Sequence, residues 1–488
     1  MRASVRIDPY RLIGVIDPRI YGYFIEHLGR CIYTGVFDPG SPLADERGFR
    51  RDVLEAARRL RPPVLRWPGG NFVSGYRWLD GVGPGPQRPS RPELAWRTTE
   101  SNQFGTNEFI DYCRALDTEP YICVNMGDGS MREAVAWVEY CNRAGGTQYA
   151  DLRRRHGYES PHDVTLWGLG NEVYGEWQIG HKSASDYAEE AREWGKLLKW
   201  LDPRVQLVAA GSDRPAWNWE LLTQAGRAMN YISIHFYFGP DRPAGDAYHS
   251  LLARTDAAEA AIRALWGQVQ AARIETKLKK DIWIAVDEWN VWYRTTGDYG
   301  DPPLEERYDL TDALTVAGFL NVLHRNADKV RLANLAQMVN VIAPIMTKPD
   351  GVLLQSIYWP LVAVAEHRGD VALDVWSESD GFTPREGAAQ SPYLDVSATL
   401  DVGTRTLYVH AVNRHRDEAA EVRLRLLDVM PQPEGALHLI TAPDPSATNT
   451  FDHPDAVTLH SQPLTDLSSD CVVELPPHSA GTIELRLE

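Results

Sequence analysis

The sequence has 488 residues, with 50 Lys and Arg against 67 Asp and Glu, so its formal net charge is −17. This acid surplus argues against a protein that follows nucleic-acid phosphates or binds an anionic membrane surface. Hydrophobic residues make up 43% of the sequence and charged residues 24%, which excludes a disordered or fibrous chain. The length predicts one large domain accompanied by a smaller one.

Short apolar segments alternate with amphipathic stretches through the first three-quarters of the sequence. The apolar segments are residues 20–25, 64–67, 121–125, 165–170, 205–210, 231–235, 282–286 and 330–338, each bounded by Pro, Gly, Asn or Asp as buried strands are. Helical spacing occurs at residues 49–60, 107–116, 132–141, 183–201, 216–227, 251–277 and 310–325. This alternation predicts a (β/α)₈ TIM barrel. A doubly wound sheet would also alternate strands and helices, but the absence of a GxGxxG motif after an early strand argues against that fold.

The pattern changes after about residue 372. Apolar and polar residues alternate at residues 394–400, 406–413, 421–427 and 481–487, and no helical pattern remains. This is typical of a β-sandwich, here jelly-roll-like. We therefore predict a catalytic barrel over residues 17–372 and a β-sandwich over residues 373–488. The strand-like start of the sequence, residues 1–16, is expected to complete the sandwich.

The cysteines and the N-terminus indicate a reduced, cytoplasmic protein. The five cysteines are widely spaced without a CxxC pair, so neither a zinc site nor a disulfide framework is predicted. Cys113 and Cys123 lie in apolar surroundings, as buried thiols do. No apolar run suits a signal peptide or a membrane span. Removal of a signal peptide would leave the same pattern.

Polar side chains follow seven of the eight predicted strands, and only the fifth strand lacks them. In chain order they are Glu26 and His27, then Arg66 and Asn71, Asn125, Asn171 and Glu172, His235 and Tyr237, Asp287, Glu288 and Asn290, and finally Gln337 and Asn340. In a (β/α)₈ barrel the carboxyl ends of the strands form the active site. The polar side chains therefore predict a site at one mouth of the barrel.

Two glutamates in this set, Glu172 and Glu288, suit glycoside hydrolysis. That reaction needs one carboxylic acid to protonate the leaving oxygen and one carboxylate that attacks the sugar or activates water. A single strand-end glutamate is more often part of a salt bridge, but two in Asn- and Trp-rich stretches favour catalysis. The sequence leaves open whether the reaction retains or inverts configuration, since that depends on the distance between the carboxylates.

Three other carboxylates compete for these roles. Along a regular strand only one of Asp287 and Glu288 can face the mouth, and Glu288 is preferred for its longer reach. Glu176 lies in a loop beyond Glu172, which is a less rigid position. Glu26, if ionised, is better suited to accept hydrogen bonds from sugar hydroxyls than to transfer protons.

Histidines and tryptophans complete the predicted mouth. His235 and His27 end strands, and each can equally bond a ligand, bond a catalytic glutamate or have a structural role. The sequence contains 16 Trp and 21 Tyr, and Trp96, Trp177 and Trp292 fall in loops where they can stack on a sugar. HExxH, GxSxG, Walker A and kinase motifs are absent. We therefore expect no metal and no organic cofactor.

Long stretches of the barrel region resemble the family 51 glycoside hydrolases, chiefly α-L-arabinofuranosidases. The matching stretches are YGYFIEHLGRCIYTGVFDP from Tyr21, VLRWPGGNFVSGYRWLDGVGP from Val64, LWGLGNE from Leu166, WQIGHK from Trp177, ISIHFY from Ile232, DEWNVWY from Asp287 and NLAQMVNVIAPI from Asn334. They span nearly the whole barrel in order. The predicted β-sandwich contributes to the resemblance only through a compatible length and residue pattern.

The resemblance implies a retaining mechanism with Glu172 as acid/base and Glu288 as nucleophile. The residues that match positions holding the arabinofuranose hydroxyls are Glu26, Asn71, Asn171, Tyr237 and Gln337. Arg66 matches an arginine beneath the nucleophile, where its charge would keep Glu288 ionised. Glu172 is expected to be protonated at rest, its pKa raised by the nearby Glu288. Family members often form homo-oligomers, which the resemblance also implies here.

The sequence departs from the family pattern beside the mouth. Residues 173–176 read Val-Tyr-Gly-Glu where the family more usually has Met-Asp-Gly, and residues 98–102 and 351–361 also differ. The leading hypothesis is an exo-acting enzyme that releases terminal arabinofuranose from arabino-oligosaccharides, arabinan or arabinoxylan. The alternatives are an endo-glucanase or β-xylosidase on the same scaffold, or a non-catalytic sugar-binding protein. The presence of both glutamates argues against the non-catalytic protein.

Overall fold

The computed structural model describes residues 1–239, 246–294, 304–385 and 387–488. Eight parallel strands close into a barrel, with Val330–Ala336 returning to pair with the first strand. The barrel strands, in chain order, are Gly22–Phe24, Val64–Trp67, Glu119–Val124, Leu166–Leu169, Gln206–Ala209, Tyr231–Phe238, Trp283–Val291 and Val330–Ala336. The predicted (β/α)₈ barrel is confirmed.

Helices surround the barrel. In the described residues they are Arg51–Leu60, Thr106–Leu116, Met131–Asn142, Gln148–Arg155, Ala184–Leu201, Pro215–Ala225, Ala247–Leu252, Arg254–Glu275, Leu310–Arg325 and Tyr358–Glu366, with short 3₁₀ turns at Pro18–Tyr21, Asn71–Gly75, Trp78–Gly81 and Gly85–Gln87. Two of the helices that the sequence did not predict lack a clear stripe of apolar residues along one face. Gln148–Arg155 buries only Ala150 and Arg153, and Tyr358–Glu366 is buried nearly all round. No helix in these ranges has the length and apolar character needed to cross a membrane.

A nine-stranded sheet forms the second part of the protein. Its strands, in spatial order, are Leu459–Leu464, Pro431–Ile440, Ser479–Leu487, Thr406–Asn413, Leu394–Asp401, Val371–Ser379, Arg2–Val15, Ala420–Leu426 and Asp470–Leu475. Apolar side chains from both halves of this sheet meet in one core. The predicted all-β domain is thus confirmed, while its boundary at residue 372 stays a prediction.

Small hairpins pair Arg91–Glu93 with Thr98–Glu100, Ile345–Lys348 with Gly351–Leu354, and Gly381–Phe382 with Ser391–Pro392.

The first strand of the chain lies inside this sheet rather than at its edge. Arg2–Val15 runs antiparallel to Val371–Ser379 and parallel to Ala420–Leu426. Val5 and Ile7 are fully buried in the core of the sheet. The N-terminal strand is therefore an integral part of the second domain.

Partly buried ion pairs join the barrel to the sheet. Arg325, at the end of helix Leu310–Arg325, donates to Asp395 on the sheet at 2.8 Å. Arg414, also from the sheet, donates to Asp256 on a barrel helix at 3.0 Å. Charge-assisted hydrogen bonds with fixed geometry of this kind hold the two parts in one relative orientation.

Candidate active site

A cavity of about 360 Å³ opens at the carboxyl ends of the barrel strands. Nine of the twelve predicted site residues line it: Glu26, Asn71, Trp96, Glu172, Trp177, Tyr237, Glu288, Trp292 and Gln337. The other three, Arg66, Asn171 and His235, bond directly to one another or to the two glutamates of the proposed pair. The structure thus brings together all twelve residues, while their roles in substrate binding and catalysis stay predictions.

A β-bulge in the seventh barrel strand places Glu288 and Asp287. Ala285 lies opposite Ser233, yet Glu288 lies opposite His235, so the seventh strand has one extra residue in this interval. Both carboxylates consequently reach the barrel interior. Glu288 lines the cavity, whereas Asp287 accepts a hydrogen bond from the Tyr121 hydroxyl at 2.8 Å. The expectation of a regular strand was wrong here, although Glu288 is still the residue at the mouth.

Both oxygens of Glu288 are held by donors. Arg66 Nη1 donates to Oε1 at 2.6 Å, and the Tyr237 hydroxyl donates to Oε2 at 2.6 Å. The other arm of the guanidinium, Nη2, donates to Asn171 Oδ1 at 2.6 Å. Arg66 is only 1% exposed, so these charge-assisted bonds fix the orientation of Glu288 in a region without bulk water.

His235 connects three carboxylates. Its Nδ1 lies 2.9 Å from Glu172 Oε1 and 3.4 Å from Glu288 Oε2, and its Nε2 lies 3.1 Å from Asp287 Oδ1. Burial alone would lower the pKa of His235, but the charge of Glu288 and the bonds to Asp287 and Glu172 raise it well above its ordinary value. The ring is therefore an imidazolium at neutral pH, with both nitrogens donating.

The protonation of Glu172 differs from the sequence-based expectation. Burial alone would raise the pKa of Glu172, but the hydrogen bond and charge of His235 and a bond from Trp177 Nε1 at 2.9 Å lower it. Glu172 is thus ionised at rest, and the expectation that it is protonated was wrong. His235 donates this hydrogen bond to Glu172 Oε1 at 2.9 Å and carries a proton that can cross it.

The backbone at Glu172 adopts an unusual conformation. Gly170 and Glu172 have φ angles of 73° and 42°, both in the left-handed region. Such a conformation is unfavourable for a residue with a side chain and is found mainly where function requires it. It turns the chain sharply after the fourth strand, so that the Glu172 side chain enters the cavity.

Glu26 and Gln337 form a reciprocal pair at the opposite side of the cavity. The backbone N–H of Glu26 donates to Gln337 Oε1, and Gln337 Nε2 donates to Glu26 Oε2, both at 3.0 Å. Phe72 N and Trp96 Nε1 both donate to Glu26 Oε1 at 3.1 Å. Burial and the charge of Glu288 nevertheless raise the pKa of Glu26 to about 8. The Glu26 carboxylate accepts hydrogen bonds from three N–H donors, as the sequence-based interpretation expects, and its raised pKa makes its charge sensitive to pH near neutrality.

The two asparagines of the site differ in their hydrogen bonding. Asn71 Oδ1 accepts a hydrogen bond from Gln178, whose own Oε1 accepts one from Ser74 Oγ at 2.8 Å. Asn171 Nδ2 is buried and has no hydrogen-bond partner within the described ranges. A buried amide without a partner costs free energy, so Asn171 Nδ2 is a ready donor for a ligand. Sequence reasoning missed Gln178, although it directly follows Trp177 in the WQIGHK stretch.

Two tryptophans form the rim of the cavity. Trp177 is 59% exposed and reaches Glu172 through its indole nitrogen. The Trp292 ring packs edge-on against Tyr237, with 5.2 Å between centroids, and the Arg294 guanidinium lies 4.5 Å from its centroid. The third tryptophan, Trp96, contacts Glu26 through its N–H rather than offering only a stacking face.

Other strand-end residues have structural roles. His27 forms a hydrogen bond with Glu100 at 2.9 Å and accepts one from Trp67 Nε1 at 3.0 Å. Of the roles that the sequence left open for His27, the structure therefore shows the structural one. The amides of Asn125, Asn290 and Asn340 donate to the backbone carbonyls of Tyr76, Ala336 and Arg30. Glu176, the rejected competitor of Glu172, is exposed to solvent.

Gly70 forms part of the cavity wall, where a side chain would fit only tightly. A Cβ atom on Gly70 would lie 3.2 Å from Glu288 Oε1, 3.3 Å from Asn171 Nδ2 and 3.4 Å from Glu26 Oε2. The space between these three groups is where a ligand would be held. The absence of a side chain at residue 70 therefore keeps the centre of the site open.

We expect Gly70→Ala to reduce kcat/KM by about 10- to 100-fold, because the methyl group takes up space needed by the substrate. Steady-state kinetics on an aryl glycoside and the Tm of the variant test this. Gly40→Ala is the control, since a Cβ there meets no atom within 4 Å. Unchanged kinetics of Gly70→Ala would show that the sugar does not bind at this position.

A closed barrel with glutamates at the ends of its fourth and seventh strands, facing one polar cavity, defines a glycoside hydrolase. Two family models match the chain: the α-L-arabinofuranosidase 1 domain over residues 56–255 and the α-L-arabinofuranosidase C-terminal domain over residues 287–479. The thermostable GH51 α-L-arabinofuranosidase from Thermotoga petrophila has the same fold, with a TM-score of 0.92, 40% identity and 99% of each chain covered. The chain belongs to the family 51 α-L-arabinofuranosidases, which confirms the family expected from its motifs.

Two curated relatives support this membership over most of the chain. The chain is 42% identical to α-L-arabinofuranosidase C of Emericella nidulans over 472 residues, with 91% of each chain covered. It is 40% identical to an intracellular exo-α-(1→5)-L-arabinofuranosidase of Halalkalibacterium halodurans over 438 residues, with 87% of each covered. The similarity thus extends through both the barrel and most of the sheet.

Proposed function

We propose that the protein is a retaining, exo-acting α-L-arabinofuranosidase that releases terminal arabinofuranose from arabino-oligosaccharides, arabinan or arabinoxylan. The observation that carries the proposal is the close approach of Glu172 and Glu288, of which one carboxylate oxygen each lies within 4.8 Å of the other. A short separation of this kind suits direct attack by one carboxylate, because an inverting enzyme needs about 6.5–9.5 Å to admit a water molecule. The names of both curated relatives support the arabinofuranoside class.

The first step forms a glycosyl–enzyme ester. A Glu288 oxygen attacks the anomeric carbon while the bond from that carbon to the leaving oxygen breaks. The leaving oxygen takes a proton from Glu172. Arg66 and Tyr237 orient Glu288 for this attack through their hydrogen bonds.

His235 supplies the proton that Glu172 needs. The charged pair of His235 and Glu172 becomes a neutral pair when the proton crosses the 2.9 Å hydrogen bond between them. A bound sugar excludes water from the cavity and so favours the neutral form, because desolvation disfavours charges. Glu172 then carries a proton directed towards the leaving group.

The second step hydrolyses the ester. A water molecule gives a proton to the Glu172 carboxylate, and its oxygen attacks the anomeric carbon. The bond to Glu288 breaks, and Glu288 recovers its charge. Two displacements at one carbon restore the original configuration, so arabinose is released as the α anomer.

The sugar pocket favours action at a chain end. We place the arabinofuranose ring over Gly70, with Asn171 Nδ2 donating to its 2-hydroxyl group. Glu26, Gln337 and Asn71 would bind the remaining hydroxyls. These side chains are bonded to one another or to neighbouring residues, so they form a fixed wall on this side of the cavity, as a pocket for a terminal sugar requires.

A substrate panel tests the function. We expect hydrolysis of an aryl α-L-arabinofuranoside and release of arabinose alone from arabino-oligosaccharides. In dilute methanol the transfer product should be the methyl α-L-arabinofuranoside, as retention requires. A preference for carboxymethylcellulose or an aryl β-xyloside would instead favour the alternative activities. Methyl β-L-arabinofuranoside as the transfer product would overturn the retaining mechanism.

We also propose a cytoplasmic homo-oligomer. One relative is described as intracellular, and the five cysteines of this chain are all free thiols, with Cys113 and Cys123 buried. Tyr10 and Val15 on the first strand are 75% and 66% exposed, and a subunit contact at this strand would bury them. Light scattering after size exclusion measures the assembly, and a monomer would contradict it.

A further inference from the structure

Asp287 is a buried carboxylate beside the active-site cavity that the proposed two-step reaction does not use. It is 3% exposed and is not among the residues that line the cavity. The β-bulge in the seventh barrel strand nevertheless brings it into the barrel interior, next to Glu288. A buried charge is costly unless other groups bond it, so the partners of Asp287 indicate its role.

Three groups hold the Asp287 carboxylate. Oδ1 lies 3.1 Å from His235 Nε2, and Oδ2 accepts a hydrogen bond from the Tyr121 hydroxyl at 2.8 Å. Arg66 Nε lies 3.8 Å from the same Oδ2. Burial alone would raise the pKa of Asp287, but the charge of Arg66 and the bonds from His235 and Tyr121 lower it. Asp287 is therefore ionised at neutral pH.

His235 connects Asp287 to the proposed acid, Glu172. Its Nδ1 lies 2.9 Å from Glu172 Oε1, so carboxylates bond both nitrogens of the ring. Because Asp287 accepts from Nε2, it holds a proton on that nitrogen and leaves the Nδ1 proton to cross to Glu172. When the glycosyl–enzyme ester is hydrolysed, water returns a proton to Glu172, and this proton can cross back to Nδ1. The pair of His235 and Glu172 thus gives up and regains one proton in each cycle.

Ionisable groups from several barrel strands surround this pair. Glu172 and Glu288 contact Nδ1 of the ring at 2.9 and 3.4 Å, whereas Asp287 contacts Nε2. The other ionisable side chains bonded to these carboxylates are Arg66, Tyr121 and Tyr237. A sugar in the cavity would change the surroundings of Glu172 and Glu288. Asp287 lies outside the cavity lining, so its charge stays constant through the cycle.

We propose that Asp287 is a positioning residue for acid catalysis. It keeps one proton on the pair of His235 and Glu172 up to alkaline pH, and it makes Nδ1 the nitrogen that exchanges this proton. The inference rests on the proposed function, because it takes Glu172 as the acid. Without the negative charge at Nε2 the protonated pair is disfavoured, so the pair releases its proton at a lower pH. Activity that needs this proton is then lost on the alkaline side and kept on the acid side.

Asp287→Asn tests the charge, because Asn keeps the size and shape of the side chain. We expect the alkaline limb of kcat/KM on arabino-oligosaccharides to move about 1–2 pH units lower, a loss of about 10- to 100-fold at a pH above both limbs. KM should stay within about twofold, since Asp287 does not line the cavity. With a dinitrophenyl α-L-arabinofuranoside, whose leaving group needs no proton, the limb should not move. An unchanged limb on oligosaccharides, or equal shifts on both substrates, would overturn the proposal.

Tyr121→Phe is the matched control. It removes the hydrogen bond to Asp287 Oδ2 but leaves the negative charge, so its alkaline limb should lie within about 0.3 units of that of the wild type. A shift as large as that of Asp287→Asn would attribute the effect to packing and would contradict the proposed role of the charge.

Nitrogen NMR of ¹⁵N-histidine-labelled protein detects the same proton without turnover. The chain has 14 His, and the signal lost in His235→Gln identifies His235. We expect both ring nitrogens of His235 to be protonated at pH 7 in the wild type, and the ring to lose a proton at least about 1 pH unit lower in Asp287→Asn. A neutral His235 in the wild type at pH 7 would overturn the proposal even if Asp287→Asn failed to fold. Inactivity of the wild type on arabinofuranosides would instead overturn the proposed function, and the spectrum separates the two failures.

Discussion

Replacing Glu288 by Ala or Gln is expected to lower kcat on an aryl α-L-arabinofuranoside by about 10⁴-fold or more. Either change removes the carboxylate that we propose forms the glycosyl–enzyme bond. It also leaves the buried Arg66 without its closest anionic partner at 2.6 Å. Gln keeps the volume of the side chain, so agreement between the two variants would assign the loss to chemistry rather than to packing.

Azide distinguishes the role of Glu288 from a merely structural one. In Glu288→Ala the small anion fits the vacated space and attacks the anomeric carbon directly, while Glu172 still protonates the leaving group. The product should be the glycosyl azide of inverted, β configuration. The Tm and the circular dichroism spectrum check the fold of each variant. A folded Glu288→Ala enzyme whose kcat stays within tenfold of the wild type would refute the assignment.

Replacing Glu172 by Ala should lower kcat/KM on arabino-oligosaccharides by about 10²- to 10⁴-fold. The loss should be much smaller on a dinitrophenyl arabinofuranoside, because that leaving group departs without a proton. Azide should accelerate turnover of the dinitrophenyl substrate and give the glycosyl azide of retained, α configuration. The opposite stereochemical outcomes in the two variants would separate the acid/base from the nucleophile.

Glu176→Ala provides the matched control for Glu172. Glu176 is an exposed glutamate in the loop that follows the same strand, and its removal should leave kcat/KM within about twofold, as surface changes usually do. Equal losses on oligosaccharide and dinitrophenyl substrates in Glu172→Ala would be inconsistent with acid catalysis. The role of Glu172 would then have to be sought in substrate binding.

The fold could be predicted from the sequence because hydrophobic periodicity reports on burial. Strands such as Val64–Trp67 are buried on both faces and appear as apolar runs, and Ala184–Leu201 carries a clear amphipathic stripe. The same logic located the site, since the carboxyl ends of parallel strands must meet at one mouth. Glu172 and Glu288 could therefore be paired although 116 positions separate them.

The details of the site depend on features that periodicity does not encode. The bulge before Glu288 adds one residue to a strand that otherwise looks regular, and it brings Asp287 to His235. The protonation of Glu172 follows from charges contributed by other strands, as the raised pKa of Glu26 does. Such properties belong to the three-dimensional cluster, so they could not be inferred from any single segment.

The position of the first strand has a consequence for how the chain is made. Arg2–Val15 leaves the ribosome long before its partners, which begin only at residues 371 and 420. The barrel can form during synthesis, whereas this strand must wait with both edges unpaired until the last quarter of the chain emerges. Pairings this distant in sequence form slowly and leave an aggregation-prone segment exposed. Productive folding of the nascent enzyme therefore depends on keeping Arg2–Val15 from premature pairing.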